Sequence, residues 1–111
     1  MVRNVETPKR TLVITPPQNL VQPALAALEH QVDQAMLTRA ETVAVDLSGL
    51  QSIDSAALNW MLAAQNRLAG QAIQMVLVEP SAVCVDVLIA TRLEHRFKIR
   101  ANGIGGEAAN A

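Results

Sequence analysis

The sequence predicts a single α/β domain in which helices join neighbouring parallel strands. Segments of strand-like and helix-like composition follow one another in the order β-β-α-β-α-β-α-β along 111 residues. Parallel neighbours in such an order need right-handed crossover helices that pack against the sheet. Half of the residues are hydrophobic and 17% are charged, so the chain can bury one core, whereas two independent domains would be too small.

Two strands are predicted before the first helix. They cover Val2 to Val5 and Arg10 to Thr15, which have β-type composition and are separated by a turn at Thr7-Pro8. Pro16-Pro17 ends the second strand, because proline cannot donate a hydrogen bond to a neighbouring strand.

The first helix is predicted to begin near Asn19 to Pro23 and to end at about Ala40. Asn is a good helix cap, and proline is tolerated in the first turn. The inward stripe follows helical spacing and consists of Leu25, Leu28, Val32, Ala35 and Met36. His30 and Asp33 fall off this stripe, which favours a solvated histidine over a catalytic base.

A buried strand, a turn and a second helix form the centre of the sequence. Val43 to Leu47 is an apolar run broken by Asp46, and Ser48-Gly49 is typical of the turn that follows. Asp54-Ser55 then stands at the N-terminus of a helix over Ala56 to Ala69, where unpaired N–H groups favour carboxylates, hydroxyls and phosphates. The predicted inward stripe of this helix is Leu58, Met61, Leu62, Gln65 and Leu68.

A third helix and a last strand complete the predicted domain. Ile73 to Val78 has the composition of a strand, and Pro80-Ser81 ends it and starts a helix at about Ala82. The predicted inward residues of this helix are Val85, Leu88, Ile89 and Leu93. Phe97 to Arg100 is predicted to form a short last strand, and residues 101–111 a flexible tail.

Composition excludes several partners. The net charge is −1 and the sequence has no basic run, so it does not predict the basic patch that binding to nucleic acid or anionic lipid requires. The single cysteine, Cys84, excludes an internal disulfide, and without a basic neighbour within one turn it reads as a small core residue rather than a redox thiol. No stretch reaches the ~18 to 20 apolar residues of a membrane span, so we expect a soluble, cytoplasmic protein.

The sequence also argues against catalysis. The turn between strand and helix holds only Gly49 and no Walker lysine, whereas nucleotide sites need several glycines there. Ser55 lacks the partners of a catalytic triad and the G-x-S-x-G elbow. The distant histidines His30 and His95, without a cysteine pair, disfavour a zinc site. We therefore expect no catalytic residue, no metal and no cofactor.

The segment from Asp46 to Leu58 reads D-L-S-G-L-x-x-I-D-S-x-x-L. It resembles the STAS domains, a family that includes cytoplasmic domains of sulfate transporters and bacterial anti-sigma factor antagonists. The similarity continues through Gln74 to Ser81 and Leu93 to Ile99. It implies a STAS-like single domain over residues 1–100, matched most strongly at 43–99. The implied fold is a mixed β-sheet of about four to five strands with three to four helices packed against it.

The resemblance implies a regulatory role for the start of the second helix. In the antagonists, the Ser or Thr directly after the Asp is phosphorylated by a partner kinase that is also the anti-sigma factor, and the matching residue is Ser55. The residues alone also allow a helix-capping hydroxyl. The chain has Ala56 and Ala57 where the antagonists read S/T-G, and the methyl group of Ala57 is expected to obstruct a partner's backbone. Thr15 to Asn19 replaces the family's G-x-L-D, which puts recognition through that loop in question.

A partner is expected to contact the second helix and the turn before it. The predicted contact residues are Asp46, Asp54, Ser55, Ala56, Asn59, Trp60, Ala63 and Arg67. Ala56, Trp60, Ala63 and Arg67 follow one another at three- or four-residue steps. They therefore lie on the side of the helix opposite the predicted inward stripe. Two interpretations of Trp60 stay open: an exposed docking anchor, since tryptophan is enriched in such anchors, or peripheral core covered by a neighbouring helix.

Three functions remain open at this point. The first is a non-catalytic module that binds an anti-sigma factor with serine kinase activity and is switched by phosphorylation of Ser55. The second is a STAS subunit bound constitutively to the ATPase of an ABC-type lipid transport complex, since some such family members also lack the second hydroxyl, as here at Ala56. The third is a stand-alone nucleotide or small-ligand binding domain.

Overall fold

The structure, a computed structural model, describes residues 10–101. Within them the chain forms six strands, three α-helices and a short 3-10 helix. The strands are β1 (Thr11–Ile14), β2 (Asn19–Leu20), β3 (Thr42–Asp46), β4 (Ser52–Ile53), β5 (Gln74–Val78) and β6 (Lys98–Arg100). The helices are α1 (Leu25–Leu37), α2 (Ser55–Ala69) and α3 (Ala82–Ala90), and the 3-10 helix (Gln22–Ala24) leads into α1.

Four strands form a parallel sheet in the order β1-β3-β5-β6. β3 and β5 lie at its centre, and each has three consecutive buried residues, as expected for strands covered on both faces. The register places side by side Ile14, Val45, Leu77 and Ile99. The predicted α/β fold, with one such sheet and three helices, is confirmed. Every strand pair within residues 10–101 is parallel, and the strand predicted at Val2 to Val5 lies outside the described residues.

The sequence did not predict a second sheet, which β2 and β4 form as a two-stranded parallel pair. Asn19 pairs with Ser52, and the Ser52 hydroxyl donates a hydrogen bond to Asn19 Oδ1 at 2.8 Å. The prediction of Asn19 as a helix cap is therefore wrong. α1 begins only at Leu25, because Gln22–Ala24 first form the 3-10 helix.

The core lies between the sheet and the helices. The predicted inward stripe of α1 is confirmed at its buried residues Leu28, Val32 and Ala35. α3 buries Cys84 and Leu88, whereas Ile89 is 54% exposed. The predicted inward position of Ile89 is therefore wrong, because the inner face of α3 runs through Cys84 and Leu88.

Each of the three α-helices is followed by a residue with left-handed backbone geometry. The φ angles are 58° at Arg39, 62° at Ala72 and 60° at Arg92. After α2, the N–H of Ile73 donates to the carbonyl of Leu68 at 2.8 Å, which is the long hydrogen bond of a Schellman motif. Glycine is the usual residue at such positions, because a Cβ atom is disfavoured at positive φ. The helix ends are therefore strained at these three residues.

The predicted last strand is confirmed as β6. The tail predicted at 101–111 lies outside the described residues, except for its first position. In the described part of the chain, no helix combines the length and the apolar character that crossing a membrane requires.

We expect Ala72→Gly to stabilise the protein by about 1 kcal/mol, because glycine relieves the strain of a positive φ. The same substitution at Ala63, an exposed residue inside α2, is the matched control and should destabilise by about 1 kcal/mol. Urea unfolding followed by circular dichroism measures both changes. A lower unfolding midpoint for Ala72→Gly than for wild type would contradict this helix end.

Candidate functional site

Asp46 ends β3 at the carboxyl edge of the sheet, as predicted. Its Oδ1 accepts hydrogen bonds from the backbone N–H of Ser48 at 3.0 Å and from the Ser48 hydroxyl at 2.8 Å. The backbone bond and then the hydroxyl bond lower the pKa of the Asp46 carboxyl below its usual value. Asp46 is therefore ionised at neutral pH and holds the turn that leads towards β4.

Asp54 joins the starts of two helices. Its Oδ1 accepts a hydrogen bond from the N–H of Ala57 at 2.8 Å, which makes Asp54 the N-cap of α2. Its Oδ2 accepts a hydrogen bond from the N–H of Gln22 at 3.1 Å, at the start of the 3-10 helix. The N–H of Asp54 donates to the carbonyl of Leu20 at 3.2 Å. One residue thus fixes α2 against both β2 and the segment that leads into α1.

Ser55 is the first residue of α2, and its side chain is exposed. The cap of α2 is Asp54, so the interpretation of Ser55 as the capping hydroxyl is wrong. Among residues 10–101 the Ser55 hydroxyl has no hydrogen-bond partner, and the N–H groups of Ser55 and Ala56 have no acceptor. The site therefore offers a hydroxyl beside two unpaired backbone donors at the positive end of a helix.

The residues that follow Ser55 differ in exposure. Ala57 is 0% exposed, so its methyl group packs in the core and cannot obstruct a partner, and that expectation is wrong. Ala56 is half-buried and Asn59 is exposed. Asn59 lies four residues after Ser55 and therefore on the same side of α2. Ser55, Ala56 and Asn59 thus lie together on one accessible part of the helix.

Trp60 is 7% exposed, so the prediction of an exposed docking anchor is wrong. It belongs to the same buried cluster as Leu28 and Val32 of α1, which agrees with the peripheral-core interpretation. Its Nε1–H is buried without a hydrogen-bond partner in the described chain. The predicted inward stripe of α2 contained only large side chains, whereas small residues also lie on its buried face. The buried residues of α2 are Ala57, Leu58, Trp60, Met61, Ala64 and Leu68.

Arg67 is engaged by α1 rather than left for a partner. Its Nη1 contacts Glu29 Oε1 at 2.5 Å, and its Nη2 contacts Asp33 Oδ1 at 2.6 Å. The bond to Asp33 contributes most to raising the pKa of Arg67 above its usual value. The predicted face of Ala56, Trp60, Ala63 and Arg67 is therefore not one exposed surface, because Trp60 is buried in the core and Arg67 pairs with two carboxylates of α1.

Sequence reasoning missed the part that Ser81 plays at this end of the molecule. The Ser81 hydroxyl donates to the carbonyl of Leu50 at 2.7 Å and accepts a hydrogen bond from the N–H of Cys84 at 3.3 Å. The Ser81 N–H donates to the carbonyl of Leu47 at 3.1 Å. The sequence indicated Ser81 at a helix start but not its bond to Leu50, which is distant in the chain. These bonds attach the start of α3 to the connection between β3 and β4.

Cys84 lies in the core directly after this attachment. It is 0% exposed, and burial raises the pKa of its thiol to about 11. A thiol at that pKa is protonated at neutral pH and is a poor nucleophile. The prediction of Cys84 as a small core residue agrees with this burial.

Ser55 lines neither of two cavities found in the described part of the chain. Two cavities of about 330 and 430 Å³ lie at the amino ends of the strands, away from Ser55, and Met36 and Gln71 line both. In the described residues no three His, Cys, Asp or Glu side chains are grouped so that they could hold a metal ion. The exposed Ser55 side chain is accessible to another protein.

Comparison with known proteins identifies a family and a fold. A family model described as "Mlab, STAS domain" matches residues 4–101. The crystal structure of a candidate anti-sigma factor antagonist from Thermotoga maritima, tm1081, matches with a TM-score of 0.73 and 21% identity over 90% of this chain and 86% of that chain. The NMR structure of the protein TM1081 matches with a TM-score of 0.71 and 22% identity over 82% and 74%. No curated protein matches the chain.

We expect Asp54→Ala to destabilise the protein by about 2 kcal/mol, because the N–H groups of Ala57 and Gln22 both lose their acceptor. Asp54→Asn keeps one acceptor oxygen and should lose about half as much. Ser55→Ala is the matched control and should change stability by less than about 0.5 kcal/mol. Urea unfolding measures all three, and equal losses in the two Asp54 variants would contradict the double role of the carboxylate.

We expect the fluorescence of Trp60, the only tryptophan, to be blue-shifted and shielded from quenching by iodide. The physical reason is its burial in the hydrophobic core, where the side chain is only 7% exposed. The urea-unfolded protein is the control, and its tryptophan should be quenched several times more strongly. Equal quenching of folded and unfolded protein would contradict the burial.

Proposed function

Because the chain belongs to the STAS domain family, we propose that it is a non-catalytic binding module that acts in the cytoplasm. The unphosphorylated protein docks on an anti-sigma factor with serine kinase activity, and phosphorylation of Ser55 releases it. The exposed Ser55 hydroxyl at the first position of α2 carries the proposal. The fold that the chain shares with a candidate anti-sigma factor antagonist supports it.

Ser55 meets the physical requirements of a phosphoryl acceptor. Its hydroxyl has no hydrogen bond to another residue of the described chain that must break before a kinase reaches it. The oxygen attacks the γ-phosphorus of ATP, the new O–P bond forms as the bond to ADP breaks, and the hydroxyl proton passes to a base of the kinase. The helix N-terminus then favours the added charge of about −1.5 to −2.

The phosphate would alter the surface without removing a structural bond. Asp54 remains fixed by its hydrogen bonds to Ala57 and Gln22, so its carboxylate stays beside the new negative charge. The N–H groups of Ser55 and Ala56 can donate to the phosphate oxygens. A partner that packs neutral or acidic groups against this place is repelled, while the fold is retained.

The proposed contact surface is smaller than the sequence suggested. It comprises Asp46, Asp54, Ser55, Ala56 and Asn59, at the end of β3 and the first turns of α2. Ala63 is exposed and can lie at its margin, whereas Trp60 is buried in the core and Arg67 pairs with Glu29 of α1.

A second candidate function is a constitutive subunit bound to the ATPase of an ABC-type lipid transport complex. Ala56 favours it, because alanine cannot supply the second hydroxyl of the antagonists' motif, and the matching family model is described as Mlab. In that case the same surface binds the ATPase, and phosphorylation of Ser55 is not required.

We expect immobilised wild type and Ser55→Ala to retain a kinase-type anti-sigma factor from native lysate. Ser55→Asp should retain it at least about tenfold less, because the added charge is repelled. Gln71→Asp adds the same charge at an exposed residue at the opposite end of the molecule and should bind like wild type. Quantitative mass spectrometry of the retained proteins measures these differences.

Incubation with the purified partner and ATP completes this test. One phosphate on wild type and none on Ser55→Ala support the proposal. An ABC ATPase retained equally by all variants supports the second candidate. Absence of phosphate on Ser55, together with unchanged binding by Ser55→Asp, contradicts the first.

A further inference from the structure

α3 is apolar on its outer side as well as on its inner side. Of its nine residues only Asp86 is charged. Cys84 and Leu88 are buried on the inner side, yet Val83 is 41% and Ile89 is 54% exposed. A helix that is apolar all round is normally covered on all sides, whereas residues 10–101 leave the outer side of α3 exposed.

Asp86 lies at the centre of the outer side of α3. Successive helical residues are about 100° apart, so the residues three and four positions before and after Asp86 lie within about 60° of it. These neighbours are Ala82, Val83, Ile89 and Ala90, all of which are exposed. We call these four residues and Asp86 the α3 face. A single carboxylate thus stands in the middle of an apolar ring.

Asp86 has no partner for its charge within the described chain. The ion pairs within residues 10–101 are those of Arg67 and of His95, and Asp86 is in neither. In many protein interfaces a central charged contact is surrounded by apolar contacts that exclude water. A lone charge at the centre of an apolar surface resembles one side of such an interface. The group that would pair with Asp86 from the other side is a cation, and arginine is over-represented at such contacts.

We propose that the α3 face is a docking surface for a protein partner that presents an arginine, surrounded by apolar side chains, to Asp86. The apolar ring supplies the area that must leave water, and the carboxylate fixes position and orientation. The proposal rests on the proposed function, because it assigns this surface to the partner that Ser55 controls.

A second copy of the chain fits this face poorly. A two-fold symmetric contact brings the same surface patch of both copies together. Asp86 stands midway between Ala82 and Ala90, at the centre of α3, so a two-fold contact through α3 would oppose two Asp86 carboxylates. Like charges facing each other in a dry interface are unfavourable, which favours a different protein as the occupant.

The α3 face is connected to the Ser55 surface through the fold. Ser81, the cap of α3, binds the carbonyl of Leu50 and so attaches α3 beside the segment that enters β4. β4 is followed directly by Asp54 and Ser55. In this proposal one partner contacts both surfaces: the α3 face contributes to affinity, and the charge at Ser55 controls binding.

The test measures the affinity of the purified partner, defined as the protein that wild type retains and Ser55→Asp releases. Ile89→Ser and Asp86→Lys should each weaken binding at least about tenfold. The matched control is Leu37→Ser, since Leu37 is 76% exposed on α1 and its substitution should change affinity less than about twofold. Reversal of the contacting arginine to glutamate in the partner should restore binding to Asp86→Lys.

Each outcome decides the proposal. Weakening in the α3 variants alone, with unfolding midpoints unchanged, supports it. Binding within twofold for these variants, while Ser55→Asp still releases the partner, overturns the α3 face and leaves the proposed function standing. A wild-type dimer that Ile89→Ser dissociates overturns it in favour of a second copy. If wild type retains no protein that Ser55→Asp releases, both the proposed function and the α3 face are overturned.

Discussion

The two oxygens of the Asp54 carboxylate constrain the whole end of the molecule that carries Ser55. Each oxygen can accept hydrogen bonds from a different direction, and here the donors belong to separate segments, at Gln22 and at Ala57. β2 and β4 have only two residues each, so their own pairing is too short to hold this region. The position of Asp54 directly after β4 joins that pairing to two helix starts. Together with the buried face of α2, these two hydrogen bonds hold the start of α2, and so Ser55, in its place.

The strands of the main sheet and the start of α2 could be predicted because their determinants are local in the sequence. β3 and β5 are apolar runs ended by turn residues, and an acid before an amphipathic segment is a helix cap. The pairing of Asn19 with Ser52 could not be predicted, since it depends on two distant segments that meet only in the fold. Trp60 was open for a related reason. The alanines of α2 do not reveal by themselves which side of the helix will be buried, and the buried side includes Trp60.

α2 and α3 differ in which of their side chains are exposed to solvent. α2 places its large apolar side chains against α1 and the sheet, and leaves Ser55 and Asn59 towards solvent. α3 is attached through the Ser81 hydroxyl at its first turn, while Val83 and Ile89 remain exposed. The exposed apolar area therefore lies on α3, whereas the proposed site of phosphorylation lies on α2. A docking surface that uses both helices separates the source of affinity from the point of control.

The capping of α2 by Asp54 rather than by Ser55 means that the proposed phosphorylation of Ser55 would leave the helix cap intact. If Ser55 capped α2, its phosphorylation would remove a hydrogen bond from the fold, and stability and binding would change together. Asp54 performs the capping, so the Ser55 oxygen is a substituent on an intact helix. Because the positive end of the helix accommodates added negative charge, the energetic penalty falls on whatever protein approaches that surface. The proposed phosphorylation of Ser55 would therefore change the affinity for a partner while the fold of the chain remains the same.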